Sequence, residues 1–319
     1  MKKIHFINIG ILAGLIIFIA LAFTGNIKSG DADSDNSGST DSLRLLGDNV
    51  NTIKYFAVKI PDQISFAGEN VPLNDFEVKE RMDRELTVNG YWHSTTIQNL
   101  KLANRWFPTI EKILKENNIP DDFKYLAVAE SGLRNVQSPA SAEGYWQFLK
   151  GTAIQYKLTV TPEVDERYDM EKATQAATKY LKEAYAKFGN WTLAAASYNA
   201  GMGGIDGAVS FQKKNSYYDL YLNDETSRYI FRALAFKIIY EHSNDYGFFL
   251  TAADLYYPIE YKTVKVVSTI SNLSDFADKY NTNYKMIKYY NPWLRGKSLT
   301  LKSGESYEIK LPMTASVNQ

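Results

Sequence analysis

Phe123, Leu126, Ala127 and Glu130 fall at i, i+3, i+4 and i+7, the spacing of a single helix face. Three of the four are apolar and the last is a carboxylic acid. A carboxylate among apolar neighbours is expensive to ionise, so its pKa rises toward the range of a general acid. The competing reading is a helix-end glutamate that reaches solvent or meets Arg134. Ser131 and Gly132 follow, ending the helix where a cleft can open. The Ser131 hydroxyl then either closes the helix end or orients Glu130 through a hydrogen bond.

Two further stretches carry polar groups among aromatics. Ser138 to Phe148 reads SPASAEGYWQF. Its Tyr145 and Trp146 are core residues by default, but with the Gln147 amide they could form a sugar platform with a polar handle. Glu143 is a second carboxylate candidate, though a loop glutamate is usually solvated. Ser197 to Gly201 (SYNAG) sets the Tyr198 phenol and the Asn199 amide at a helix end. Asn199 serves there as a cap, or as a partner for an N-acetyl group. Tyr229, between Arg228 and Ile230, has core packing as its default.

The elements that must position these groups are mostly helical. Ser94 is a plausible N-cap for a helix whose face is Leu100, Ala103, Phe107, Ile110 and Leu114, with Pro108 expected to bend it. Pro120, Asp121 and Asp122 open the helix that carries Glu130. Ala173, Ala176, Tyr180, Ala184 and Phe188 mark the next, and Trp191 to Ala200 another, halted by Gly201, Gly203 and Gly204. Asp224 to Tyr240 forms the last helix of the group. From Val50 to Asn89 the patterns are mixed, with breaks at Pro61 and Pro72. Past Gly247 the texture changes. Tyr261 to Thr269 alternates as a strand, Leu273 to Tyr280 and Tyr284 to Tyr290 read as short helices, and Ser306 to Leu311 as a closing strand. The expected class is mainly α, a helical domain over 49–248 followed by a small β-α-α-β module over 260–313.

Composition narrows the chemistry. The 319 residues suggest about two domains, and 36 basic against 36 acidic side chains argue against nucleic acid as a partner. The absence of cysteine excludes thiol catalysis, zinc-thiolate sites, disulfides and a lipid-modified N-terminal cysteine. His5, His93 and His242 lie far apart, so no histidine-built metal site is expected and no cofactor is implied. The 23 tyrosines, 16 phenylalanines and 5 tryptophans suit a carbohydrate groove, where rings are apolar on one side and wet on the other. Lys2 and Lys3 ahead of the apolar run Ile9 to Phe23 read as an export signal, cleaved or kept as a membrane anchor, over 1–25. The Ser-, Asp- and Gly-rich 26–48 reads as a flexible linker. Without a cysteine to lipidate, any tether is the apolar run itself.

Taken in order, these motifs resemble those of the lytic transglycosylases of glycoside hydrolase family 23, the SLT domain. The family's Glu-Ser is Glu130-Ser131, and its Gly-x-x-Gln is Gly144 to Gln147. Its Ala/Ser-Tyr-Asn-Ala-Gly is Ser197 to Gly201, and its Glu-Thr-x-x-Tyr is Glu225 to Tyr229. Trp146 stands where many relatives have methionine, and Ala142-Glu143 where small residues are usual. The C-terminal module resembles a LysM peptidoglycan-binding domain, with Ser271-Asn272-Leu273 in place of the usual Gly-Asp-Thr turn.

The resemblance implies a lysozyme-like helical fold and cleavage of the β-1,4 bond between N-acetylmuramic acid and N-acetylglucosamine, leaving 1,6-anhydro ends. On the family's pattern Glu130 acts as acid and then base, Tyr198, Asn199 and Tyr229 orient Glu130 and the acetamido group, and Gln147 contacts sugar. Ser131 joins them as a substrate-side residue. The partner implied is the peptidoglycan glycan strand, met outside the cytoplasmic membrane. A hydrolytic muramidase and a wall-binding scaffold without turnover are the rival readings.

Overall fold

The computed structural model describes residues 56–313. The expected export signal over 1–25 and linker over 26–48 lie outside the described residues. Among the described residues, no helix is long and apolar enough to cross a membrane.

The described chain opens with a short antiparallel hairpin, β1 (Ser65–Phe66) and β2 (Glu69–Asn70), and then a helix α1 (Phe76–Tyr91). In sequence the pattern of this stretch is mixed. The helix buries only Val78, Met82, Glu85, Leu86 and Gly90. One of those is charged, which broke the apolar stripe a reader looks for. Its start is nevertheless marked, because the Asp75 carboxylate accepts from Glu77 N–H at 2.9 Å.

Helix α2 (His93–Glu116) runs unbroken through Pro108 and begins one residue before Ser94, with Trp92 at the cap position and no side-chain cap bond. Pro120 leads into a 3₁₀ turn, Asp121–Phe123, which feeds α3 (Lys124–Ser131). Helix α3 ends at Gly132, in the left-handed conformation with φ +58°. A short helix α4 (Lys150–Gln155) follows the Ser138–Phe148 loop. Helices α5 (Met170–Phe188), α6 (Trp191–Ala200) and α8 (Asp224–Glu241) match the expected segments closely. Between the last two lies α7 (Met202–Gln212), where the glycines had suggested a turn. Only Gly201 breaks the chain, at φ +76°; Gly203 and Gly204 are helical. Helix α3 packs against α8 and α2, and α6 against α5 and α8, so the end of α3 sits inside the helical layer.

The C-terminal module is β3 (Tyr261–Val266), α9 (Leu273–Lys279), α10 (Tyr284–Tyr290) and β4 (Tyr307–Pro312). The two strands pair antiparallel, Tyr261 opposite Pro312 and Val266 opposite Tyr307. The mainly α class with a closing β-α-α-β module is therefore as expected. The module's buried Asn291 is fully used: its amide donates to Ile287 O and Lys310 O, and its oxygen accepts from Lys310 N–H. The module has its own apolar core, but Val164 and Tyr168 of the helical part belong to it. Backbone bonds reinforce that join, with Asp165 N–H donating to Trp293 O at 2.8 Å and Arg295 N–H to Glu163 O at 2.7 Å.

Candidate active site

Four elements meet around a cavity of about 640 Å³. Helix α3 brings Glu130, the Ser138–Phe148 loop brings Gln147 and Phe148, the end of α6 brings Tyr198 and Asn199, and α8 brings Glu225, Tyr229 and Arg232. Of the residues singled out from sequence, five line this cavity together: Glu130, Gln147, Tyr198, Asn199 and Tyr229. Ser131 does not.

Glu130 is half-buried at the cavity wall and accepts a 2.5 Å hydrogen bond from the Tyr229 hydroxyl on Oε1. Burial pushes its pKa up to about 7; the Tyr229 bond opposes this, the nearby Glu225 charge adds to it, and Arg232 opposes it. It forms no ion pair with Arg134, whose guanidinium goes instead to Asn99 Oδ1 and Gly132 O. Glu225 is the other carboxylate at this wall, and it is held in a two-pronged pair with Arg232 (2.7 and 3.0 Å). That pairing keeps Glu225 below the usual carboxylate range. One carboxyl here is thus poised near neutrality and the other is committed to a cation.

The surrounding polar groups are fixed by one another. The Tyr198 hydroxyl donates to Trp146 O at 2.9 Å. Thr226 Oγ1 donates to Asn199 Oδ1 at 2.8 Å, which leaves the Asn199 Nδ2 protons at the cavity wall. Burial and the nearby Glu130 charge push the Tyr198 and Tyr229 phenols well above their ordinary pKa, so both remain neutral donors. Gln147 sits at φ +48°, and its amide donates to Gly144 O and Val136 O. Its donors therefore serve the loop, and its side-chain oxygen is what remains for a ligand.

The loop's shape follows from three other residues. Ser131 Oγ donates to Tyr145 O at 2.7 Å and to Ala127 O at 3.2 Å, so its hydroxyl fastens the loop to α3 and does not orient Glu130. Gly144 has φ +81°, and a Cβ there would lie 1.9 Å from Arg167 O. Only glycine permits that approach. Trp146 is fully buried with its Nε1 donating to Thr174 Oγ1 at 2.9 Å, and Tyr145 is buried too. The sugar-platform reading of this pair gives way to the core reading. Glu143 is not solvated either: it pairs with Arg167 at 3.3 Å, and Arg167 also pairs with Asp165 at 2.7 Å.

Sequence reading passed over Arg232. The signal was available: Glu225, Tyr229 and Arg232 stand at i, i+4 and i+7, one face of α8. Behind them Glu85, buried on α1, accepts from Arg228 Nε at 2.6 Å and lies 4.0 Å from Arg232 Nε. Among the described residues, no group of three or more His, Cys, Asp or Glu side chains could hold a metal ion.

Residues 107–220 match the family described as Transglycosylase SLT domain, and residues 262–315 match the soluble lytic transglycosylase C-terminal LysM-like domain. The chain carries an SLT domain followed by a LysM-like domain. Over 315 residues it is 25% identical to the membrane-bound lytic murein transglycosylase D of Escherichia coli K12, covering 93% of this chain and 66% of the relative. It thus spans a little under two thirds of that relative's length. A putative tributyltin chloride resistance protein of an Alteromonas strain is 28% identical over 99 residues, 30% of this chain and 48% of the relative. The 70 kDa soluble lytic transglycosylase of Escherichia coli overlays with a TM-score of 0.35 at 24% identity, covering 46% of this chain and 26% of that one. The SLT match begins inside α2 and ends before α8, so Glu130, Ser131, Gln147, Tyr198 and Asn199 fall within it and Tyr229 falls outside.

Proposed function

We propose that the chain is a lytic transglycosylase of peptidoglycan, cutting the β-1,4 bond between N-acetylmuramic acid and N-acetylglucosamine and leaving 1,6-anhydromuramic ends. The observation that carries this reading is the contrast at the cavity wall between Glu130, with its pKa near 7, and Glu225, bound to Arg232. A glycosidase of the usual kind employs two carboxyl groups, one as acid and one as base or nucleophile. Here one group is free to cycle. Protonated Glu130 gives its proton to the glycosidic oxygen as the C1–oxygen bond breaks. The resulting carboxylate then takes the proton from the muramic C6 hydroxyl as that oxygen bonds to C1, which restores the acid without water.

Tyr229 keeps one oxygen of Glu130 engaged and leaves the other for the proton. Asn199 Nδ2 suits an acetamido carbonyl, which can stabilise the cationic carbon between the two steps. Gln147, Tyr198 and the Glu130 side chain are the groups we assign to substrate and catalysis, with Ser131 supporting the loop from behind. The names of the SLT match and of the murein transglycosylase relative support the same substrate. We place its action in the cell envelope, reached through the N-terminal apolar segment.

Mass analysis of digested peptidoglycan tests the reading directly. Muropeptides lighter by one water than ordinary reducing ends are expected. Hydrated reducing ends would instead identify a muramidase, and glycan retained on the protein without any products would identify a scaffold.

A further inference from the structure

A second cavity, of about 480 Å³, lies where the helical part meets the β-α-α-β module. Its volume is in the range of small-molecule sites. One wall is aromatic: Trp106 of α2 packs on Tyr145 with ring centroids 5.2 Å apart, and Tyr289 of α10 stands across from them on the module. Apolar rings of this kind suit the C–H faces of a sugar as well as any flat aliphatic group.

The polar groups decide which. Four cations line the cavity; Lys310 is paired with Glu171, whereas among the described residues Arg105, Arg134 and Lys288 form no ion pair. They lean on neutral oxygens instead: Arg105 Nε donates to Tyr257 O, Arg134 to Asn99 Oδ1 and Gly132 O, and Lys288 to Gly296 O and Leu294 O. Burial depresses the pKa of both Arg134 and Lys288, the signature of cations stripped of water without a counter-ion. The carboxylates at the same walls are already engaged. Glu171 pairs with Lys310 at 2.6 Å, and Asp169 caps α5 through Lys172 N–H at 2.9 Å. Finally, Asn135 Oδ1 is a buried acceptor with no partner, although its Nδ2 donates to Tyr168 O. An orphaned buried acceptor costs free energy that a ligand N–H or O–H would recover.

We propose that this cavity binds an acidic N-acetylated sugar, its carboxylate neutralising the unpaired cations, its amide N–H bonded to Asn135 Oδ1 and its ring against Trp106. The reading rests on the proposed function only for the ligand's source, since muramic residues carry a lactyl carboxylate beside the N-acetyl group. The cavity is separate from the Glu130 cleft but shares the loop between them. Tyr145 faces this cavity and its carbonyl accepts from Ser131, while Gln147, two residues on, faces the cleft.

The test is calorimetric titration of the full chain, carrying Glu130→Gln, with N-acetylmuramic acid and with N-acetylglucosamine. The first is expected to bind about tenfold more tightly or better, because only it brings the carboxylate. Asn135→Leu and Lys288→Met should each weaken N-acetylmuramic acid by roughly fivefold or more, and Asn199→Leu, which alters the cleft, should leave that dependence on Asn135 and Lys288 intact. Equal affinity for the two sugars overturns the proposal, as does N-acetylmuramic acid binding that Asn135→Leu and Lys288→Met both leave unchanged. Asn135→Leu also removes the Nδ2 bond to Tyr168 O, a residue of the module core, so the comparison of the two sugars decides the matter if neither variant folds. Because binding is read without turnover, hydrated products in the digestion experiment would reject the transglycosylase reading and leave this one standing.

Discussion

Tyr229 donates its hydroxyl proton to Glu130 Oε1 at 2.5 Å, joining helices α8 and α3 across 99 residues of sequence. The bond favours the ionised carboxyl and so restrains a pKa that burial drives upward. Tyr229→Phe keeps the ring, which is almost wholly buried, and removes only that restraint. The expected outcome is a kcat lower by about tenfold or more with KM little changed. The alkaline limb of the pH profile should move to higher pH. A lower kcat with an unmoved limb would mean the phenol acts elsewhere than on Glu130.

The pH profile of the unaltered protein follows from the same carboxyl. Glu130 must start protonated to act as an acid, so kcat/KM should be flat at mildly acid pH. It should fall as pH rises through about 7, by tenfold per pH unit. Rates measured from pH 5 to 9 on purified glycan check this. A limb at the ordinary carboxyl value near 4.5 would show that burial does not tune the group.

The stability of the fold should carry the opposite face of that shift. A carboxyl whose folded pKa is raised binds its proton more tightly when folded. Its contribution is complete below about 4.5 and lost as pH rises through about 7. Glu130→Gln removes the charge, so it should abolish turnover and yet melt higher than the parent at pH 8, with little difference at pH 4. The gain has a ceiling on the order of 3 kcal/mol, reduced by the partial exposure of the side chain. Parallel melts at the two pH values decide it.

How much of this was legible in the sequence differs by element, for physical reasons. Helices α5, α6 and α8 carry regular apolar faces, and their caps (Asp169, Asn190, Asn223) accept from backbone N–H as capping residues do. Helix α1 was missed because Glu85 interrupts its buried face, and the charge makes sense only beside Arg228, 143 residues away. Helix α7 was missed because glycine is a turn signal locally, whereas Gly203 and Gly204 are carried along by the chain around them. In the site, the i, i+3, i+4, i+7 pattern exposed Glu130. The partner of Ser131 was not readable, since Tyr145 O is a backbone atom and no residue type announces it. The same holds for Arg167, whose role depends on carbonyls of the Ser138–Phe148 loop.

The two kinds of glycine can be separated by experiment. Gly144→Ala would place a methyl group 1.9 Å from Arg167 O, on a residue at φ +81°. The loop must move, and the expected loss is at least about 2 kcal/mol together with most of the activity. Gly207, in the interior of α7, meets nothing within 4 Å of a built Cβ. Gly207→Ala should therefore stabilise the protein by about 0.5–1 kcal/mol through the unfolded chain, with rates unchanged. Chemical denaturation of the two variants should show opposite signs.

Arg167 fastens the same loop from the other side, and its ion pairs can be separated from its carbonyl bonds by experiment. Its guanidinium pairs with Asp165 at 2.7 Å and Glu143 at 3.3 Å, and NH1 donates to Phe148 O at 3.1 Å. Arg167 and Asp165 are both buried, so Arg167→Met strands two carboxylates and a carbonyl at once. Breaking one side of a buried pair costs about 3–5 kcal/mol at neutral pH. Without the cation, the two acids lose their counter-charge in the folded state. Adding Asp165→Asn and Glu143→Gln to Arg167→Met should recover part of the loss in chemical denaturation. A deficit that the two added changes leave untouched would mean that Arg167 holds the loop through its carbonyl bonds and not through the two acids.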